Sequence, residues 1–130
     1  METLAEQKEK LKMMNKKKLS KLHSSGKSIN EIAEIIQTSD VKNSEYDFSE
    51  NGLNMFGYQL MAAEKNKEAL QIFKINTELY PKGFNTYDSY GECLVKLGQV
   101  EKGVEAYKKS LELNPKNDNA KKVLAELKVK

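Results

Sequence analysis

Apolar residues between positions 50 and 117 recur every three or four residues, which is the spacing of a helix with one buried face. Four such stripes follow one another, with polar residues on the intervening positions. They comprise Leu53, Phe56, Leu60 and Ala63; Ala69 and Phe73, with the later Leu79 and Tyr80; Tyr87, Tyr90, Leu94 and Leu97; and Val100, Val104, Tyr107 and Leu111. The pattern predicts two pairs of antiparallel helices, each pair joined by a tight turn.

The two pairs are copies of one unit. A shift of 34 residues aligns Gly57 with Gly91 and Pro81 with Pro115, among other matches. This interval is the repeat interval, and the units are 50–83 and 84–117. The prolines end the second helices, because a residue before proline disfavours helical backbone. Gly98 is the predicted left-handed stop of one first helix, and Asn66 takes that position in the other unit. Asn85 and Asp88 form a predicted N-cap pair.

Both flanks of the repeats also show helical spacing. The pattern of residues 118–130 predicts a capping helix that follows Asn117 and has one solvent-exposed face. Residues 3–23 predict a helix with Leu4, Leu11, Met14, Leu19 and Leu22 turned inward. Ser28 and Glu31 form a capping-box signature before a helix at 29–37, and we interpret 38–48 as a linker. We therefore divide the chain into an N-terminal hairpin with linker, 1–48, and a repeat region, 49–130. The hairpin is expected to pack against 50–64.

The repeated unit resembles the tetratricopeptide repeat (TPR). The residues that carry the resemblance are Phe56-Gly57, Leu60, Ala69, Phe73 and Pro81, then Tyr90-Gly91, Leu94, Gly103, Tyr107 and Pro115. Leu53 and Tyr87 stand where the family often has tryptophan, and Asn76 and Ser110 where it usually has alanine. The resemblance implies an all-α fold of α–α hairpin repeats, a TPR-like superhelix, with an N-terminal helical hairpin and a C-terminal capping helix.

Several short sequence segments within the repeats are also similar to the repeat tails that follow β-lactamase-like serine hydrolase domains in some bacteria. They include Tyr80-Pro81 and Asn85-Thr86-Tyr87-Asp88-Ser89-Tyr90-Gly91-Glu92. This similarity implies an alternative function as the accessory C-terminal domain of such a hydrolase, serving packing or dimerisation. An upstream Ser-x-x-Lys domain in the same reading frame would distinguish it.

Composition narrows the functional classes. The 22 basic residues are all lysine and the net charge is +3. Arginine is the residue that binds phosphates and guanine bidentately, so its absence disfavours sequence-specific nucleic-acid recognition. Residues 1–22 hold seven lysines and three glutamates, yet no Trp or Phe that would anchor them in a bilayer. We expect neither nucleic acid nor membrane as partner. The N-terminus lacks a secretory pattern, which predicts a cytoplasmic protein, or a periplasmic or secreted one if the chain is part of an exported hydrolase.

Candidate catalytic and metal-binding residues are few. Ser24-Ser25-Gly26-Lys27 and Ser39-Asp40-Val41-Lys42 fit Ser-x-x-Lys, but the partner motifs Ser-Asp-Asn and Lys-Thr-Gly are absent. His23 is the single histidine and Cys93 the single cysteine; we interpret them as a helix-end residue and a packed core residue. The sequence predicts a protein that is not an enzyme and binds no cofactor or metal.

The remaining candidate is a binding surface. In stacked helical pairs the first helix of each unit lines the concave side, which binds peptides or partner helices. The residues predicted to line it are Asn51, Asn54, Tyr58, Asn85, Asp88, Glu92 and Lys96. The family's clamp for C-terminal carboxylates uses lysine, asparagine and arginine, whereas Tyr58, Asp88 and Glu92 stand here among the asparagines. We therefore expect a scaffold that binds a neutral or basic protein segment. Contact of these residues with the chain's own N-terminal hairpin is the alternative, and self-association as a homodimer would cover any apolar face left exposed.

Overall fold

The computed structural model describes residues 1–14, 16–41 and 43–128, and within them the chain is all-α, which confirms the predicted fold class. Residues paired in extended conformation are confined there to one parallel bridge between Lys17 and Tyr46. The helices are α1 (Leu4–Met14), α2 (Ser20–Ser24), α3 (Ile29–Thr38), α4 (Glu50–Ala62), α5 (Asn66–Leu79), α6 (Phe84–Lys96), α7 (Val100–Leu113) and α8 (Asp118–Lys128).

Helices α4 to α8 pack in the order in which they follow along the chain. α4 packs on α5 and α6 on α7, while α5 also packs on α6 and α7 on α8. A shift of 34 residues along the sequence aligns α4 with α6 and α5 with α7, so that both the first and the last residues of each pair coincide. The main core joins the N-terminal segments to α4, α5 and α6, and a second cluster of Tyr107, Ala120 and Leu124 joins α7 to α8.

The paired helices approach closely at small residues. A Cβ added to Gly57 of α4 would lie 2.4 Å from the ring of Phe73 on α5, and one added to Gly91 of α6 would lie 3.0 Å from the ring of Tyr107 on α7. Phe73 and Tyr107 are 0% and 2% exposed. Each ring therefore fills the space that the missing glycine side chain leaves within its own hairpin, and Tyr107 also packs on Ala120 and Leu124 of α8.

Three helix ends within the repeats follow the predicted chemistry, and the one assigned to Asn66 does not. Gly98 has φ 84 and ends the turn after α6, as predicted. In the first hairpin, Glu64 adopts the left-handed conformation with φ 63, while Asn66 is the first residue of α5. The prediction for Asn66 was wrong because the equivalent of Gly98 in the preceding unit is Glu64. α5 and α7 end two residues before Pro81 and Pro115, as predicted.

Asn76 and Ser110 replace the small apolar residue of the repeat pattern and make equivalent hydrogen bonds. Asn76 Nδ2 donates to the carbonyl oxygen of Glu50 at 3.0 Å, and Ser110 Oγ donates to the carbonyl oxygen of Phe84 at 2.7 Å. Both residues are 0% exposed. Each bond ties the second helix of a hairpin to the first residue of its partner helix, so these polar residues contribute an interhelical contact that an alanine cannot make.

The predicted single helix at 3–23 is wrong, because extended backbone separates α1 from α2. Lys17 donates from its backbone N to Glu45 O and accepts from Asp47 N, both at 2.8 Å. This pairing with the linker holds the chain away from helical geometry. Leu19 and Leu22 are buried as predicted, but Leu4 and Leu11 are 68% and 58% exposed. The side chain of Met14, also predicted inward, lies outside the described residues.

The second N-terminal helix agrees with its prediction. Ser28 Oγ accepts from Glu31 N at 3.2 Å and Glu31 returns the bond to Ser28 N, which confirms the capping box. α3 packs against α5 rather than against 50–64 as expected, and its Asn30 accepts a hydrogen bond from Gln71 of α5. α2 approaches α4 instead, where His23 meets Phe56 edge to face at 5.9 Å.

Candidate functional site

The predicted binding residues lie on the first helices of the two hairpins, which contact each other. Asn51, Asn54 and Tyr58 are spaced by three and four on α4 and therefore share one face. The same spacing groups Asn85, Asp88, Glu92 and Lys96 on α6. We call the surface carrying these seven residues the first-helix face.

Tyr58 joins the two helices. Its hydroxyl donates to Ser89 Oγ on α6 at 3.2 Å, and its ring meets Phe73 edge to face, with centroids 5.1 Å apart. Ser89 is 2% exposed, whereas Tyr58 is 37% exposed. The tyrosine is therefore fixed by its hydroxyl and one ring edge, and a flank of the ring stays open to a partner.

Asp88 binds residues at the start of α8 instead of capping α6. α6 begins at Phe84 behind Gly83, and no side chain caps it, so the predicted Asn85–Asp88 cap pair is wrong. The Asp88 carboxylate instead accepts hydrogen bonds from Asn117 Nδ2 at 2.9 Å and from Asn119 Nδ2 at 3.1 Å. Two amide donors from the start of α8 hold this carboxylate, which positions α8 against α6.

Asn117 serves both sides of that contact. Its Oδ1 accepts from Ala120 N at 3.3 Å, which confirms it as the cap of α8, and its Nδ2 also donates to Ser110 Oγ at 2.9 Å. The sequence interpretation missed this network. The repeat interval aligns Asn119 with Asn85 and with Asn51, but this alignment does not by itself indicate the contact with Asp88.

Two tyrosine hydroxyls lie among the carboxylates of α6. Burial, together with the negative charges of Glu92 and Asp88, raises the pKa of Tyr58 to about 12, although its hydrogen bond with Ser89 acts in the opposite direction. Burial also raises the pKa of Tyr107 above its ordinary value, and the negative charges of Asp88 and Glu92 raise it further. The structure therefore brings Tyr58, Asp88 and Glu92 together and adds Tyr107, which the sequence interpretation treated as a core residue only.

The other predicted residues surround this cluster. Asn51, Asn85 and Lys96 are exposed, and Asn51 Nδ2 lies 3.6 Å from Met55 Sδ. Asn54 is half-buried, and its Oδ1 is buried without a hydrogen-bond partner among the described residues. In α6 the equivalent of Asn54 is Asp88, whose oxygens are occupied by α8. The first-helix face thus offers an unoccupied buried acceptor at Asn54.

Of the single cysteine and the single histidine, Cys93 is buried and His23 is half-buried. Cys93 is 0% exposed and donates through Sγ to the carbonyl oxygen of Asn66 at 3.4 Å, and burial raises the pKa of its thiol to about 11. A thiol in that state is a poor nucleophile near neutral pH. His23 Nε2 lies 3.4 Å from the Glu68 carboxylate. No three His, Cys, Asp or Glu side chains in residues 1–14, 16–41 and 43–128 are grouped so that they could hold a metal ion.

No protein-family model matches the chain, and no curated protein matches it significantly. The resemblance to the tetratricopeptide repeat therefore depends on the residues quoted above. Within the described ranges, every helix is too short or too polar to cross a bilayer.

Proposed function

We propose that the protein is a non-catalytic interaction module, of the TPR kind, that binds a neutral or basic protein segment on its first-helix face. The observation that carries the proposal is the cluster of Tyr58, Asp88 and Glu92 at the contact of α4 with α6. It combines a half-exposed aromatic ring with two carboxylates. Interaction surfaces are enriched in tyrosine, which presents a large rigid area and a polar tip.

The sign of the charge favours a basic partner over an acidic one. No ion pair engages Asp88 or Glu92 within the part of the chain that the structure describes. An acidic tail would meet two like charges there, whereas a lysine side chain would be attracted. Asn51, Asn54 and Asn85 supply amide groups that can donate to and accept from an extended main chain.

The test compares two labelled peptides of equal length, one of repeated Ser-Lys-Ala triplets and one of repeated Ser-Glu-Ala triplets, by fluorescence anisotropy. We expect the basic peptide to bind more tightly and Glu92→Lys to weaken it about fivefold, since exposed charge pairs contribute about 0.2–1 kcal/mol each. Glu105→Lys is the matched control, because Glu105 is an exposed carboxylate on α7. Tighter binding of the acidic peptide, or equal effects of the two variants, would refute the proposal.

A second candidate is the accessory domain of a serine hydrolase, and one observation favours it. Leu4 and Leu11 expose most of their surface on α1, as expected of a helix that packs on another domain or on a second copy. The reading frame upstream of Met1 tests this candidate: a Ser-x-x-Lys hydrolase domain in the same frame would support it, and its absence would refute it.

A further inference from the structure

The site at the contact of α4 with α6 combines two carboxylates of α6 with a tyrosine of α4. Tyr107 passes beneath α6, where its ring would lie 3.0 Å from a Cβ on Gly91. Gly91 adjoins Glu92 and lies three residues after Asp88, so the ring runs under the segment between the two carboxylates. On the α4 side, Tyr58 reaches over to Ser89.

Tyr107 is the observation that distinguishes this site from a chance group of acids. It is 2% exposed, and its hydroxyl makes no hydrogen bond within residues 1–14, 16–41 and 43–128. Its ring contacts α6 at Gly91, between Asp88 and Glu92 in the chain. Burial, followed by the charges of Asp88, Glu92 and Tyr58, raises the pKa of Tyr107. A phenolic oxygen without a protein partner keeps its full capacity to accept a hydrogen bond, and a donor from a ligand would satisfy it.

We propose that Tyr58, Asp88, Glu92 and Tyr107 form a subsite for the ammonium or guanidinium group of one lysine or arginine side chain of the partner. This inference rests on the proposed function and specifies which group of the partner is recognised. The carboxylates of Asp88 and Glu92 supply the charge, the Tyr107 hydroxyl accepts a hydrogen bond, and the open flank of Tyr58 contacts the aliphatic stem.

The four residues have different freedom to respond to a ligand. Asp88 is held by the Asn117 and Asn119 amides, and Tyr58 by Ser89. Glu92 is exposed and one helical turn from Asp88. We therefore assign to Glu92 the closing contact with the cation, and to Asp88 a fixed charge. Substitution of Glu92 changes the site without disturbing the attachment of α8.

A double-mutant cycle tests the subsite. The ligand probes are the Ser-Lys-Ala peptide and a version in which norleucine replaces lysine, which keeps the stem and removes the charge. The proteins are wild type, Glu92→Gln and the control Glu105→Gln. We expect the lysine peptide to bind wild type about tenfold more tightly than the norleucine peptide does, equivalent to about 1.4 kcal/mol. With Glu92→Gln, we expect the lysine peptide to bind only about threefold more tightly than the norleucine peptide.

A second variant addresses the hydroxyl. Tyr107→Phe keeps the packed ring, and we expect it to weaken the lysine peptide about threefold with little change for the norleucine peptide; thermal unfolding of each variant checks that it folds. Equal losses for both peptides on Glu92→Gln, or binding of free spermidine as tight as that of the lysine peptide, would overturn the subsite and leave the interaction module standing. Failure of wild type to bind any of the peptides would instead overturn the proposed function.

Discussion

Substitution of Gly57 by alanine tests how closely α4 packs on α5. The added methyl group would lie 2.4, 2.6 and 2.8 Å from three ring atoms of Phe73. Phe73 is 0% exposed and its ring also contacts Tyr58. The ring cannot withdraw without moving its neighbours, because protein interiors are packed as densely as organic crystals.

The magnitude follows from two opposing effects. Alanine in place of glycine within a helix stabilises by about 0.5–1 kcal/mol, whereas overpacking a filled core costs about 1–3 kcal/mol. We therefore expect Gly57→Ala to lower the free energy of unfolding by about 0.5–2 kcal/mol. For a chain of this size that corresponds to a fall in Tm of roughly 2–8 °C.

Gly91→Ala is the matched comparison in the second hairpin. The added Cβ there would lie 3.0 and 3.1 Å from two ring atoms of Tyr107 and 3.2 Å from the Gly103 carbonyl oxygen, so its contacts are looser than the 2.4 Å approach at Gly57 and a small shift relieves them. The helix-forming gain of alanine then offsets most of the cost, and we expect a change within about 0.5 kcal/mol.

Urea unfolding followed by far-ultraviolet circular dichroism measures both variants. Phe73→Leu, which removes the ring, should rescue part of the loss, so that the double variant with Gly57→Ala is more stable than the sum of the single effects by at least about 0.5 kcal/mol. A Gly57→Ala protein as stable as wild type, or one less affected than Gly91→Ala, would refute the packing described here.

Three further predictions concern the termini and the titratable groups. Leu4→Ser should change the free energy of unfolding by less than about 0.5 kcal/mol because Leu4 is 68% exposed, whereas Leu19→Ala should lower it by about 2–5 kcal/mol because Leu19 is 2% exposed; equal effects in urea unfolding would contradict this. Ser28→Ala should lower it by about 1 kcal/mol, because it removes the oxygen that accepts from Glu31 N; an unchanged urea midpoint would contradict the capping role. Burial raises the pKa of Cys93 from 9.0 to about 11 and that of Tyr58 from 10.0 to about 12. Since folding favours the neutral forms, the contribution of these two groups to the free energy of unfolding is complete below pH 9 and declines as the pH rises from 9 to 12. A free energy of unfolding that rises with pH across this window in urea unfolding would contradict the burial of both groups.

Much of the repeat region could be predicted from local pattern because local chemistry determines it. Helical spacing of apolar residues placed α4 to α7, and the prolines and Gly98 marked three of their ends. These signals act within one or two helical turns, so they survive without knowledge of the tertiary structure.

The failures occur where distant residues decide the outcome. The break between α1 and α2 depends on two backbone hydrogen bonds with the linker: Lys17 N donates to Glu45 O, and Asp47 N donates to Lys17 O. A helical interpretation of residues 3–23 cannot include partners that lie so far along the chain. Leu4 and Leu11 were therefore expected inward, although the break leaves α1 with its leucines exposed.

The site shows the same division. The spacing of Asn51, Asn54 and Tyr58 on one helix and of Asp88 and Glu92 on the next predicted which faces they share. It could not predict that Asp88 binds Asn117 and Asn119 of α8 rather than capping its own helix. A capping pattern and an interhelical contact use the same residue type, and only the packing of α8 distinguishes them.

The most direct test of the proposed interaction is an NMR titration of the isotope-labelled chain with the Ser-Lys-Ala peptide, in which amide shifts are mapped onto the helices. We predict that the largest shifts occur at Tyr58, Ser89 and Glu92, on α4 and α6, and that they shrink severalfold in Glu92→Lys at the same peptide concentration. Shifts confined to α5 and α7, or to α1, would contradict the assignment of the first-helix face as the binding surface.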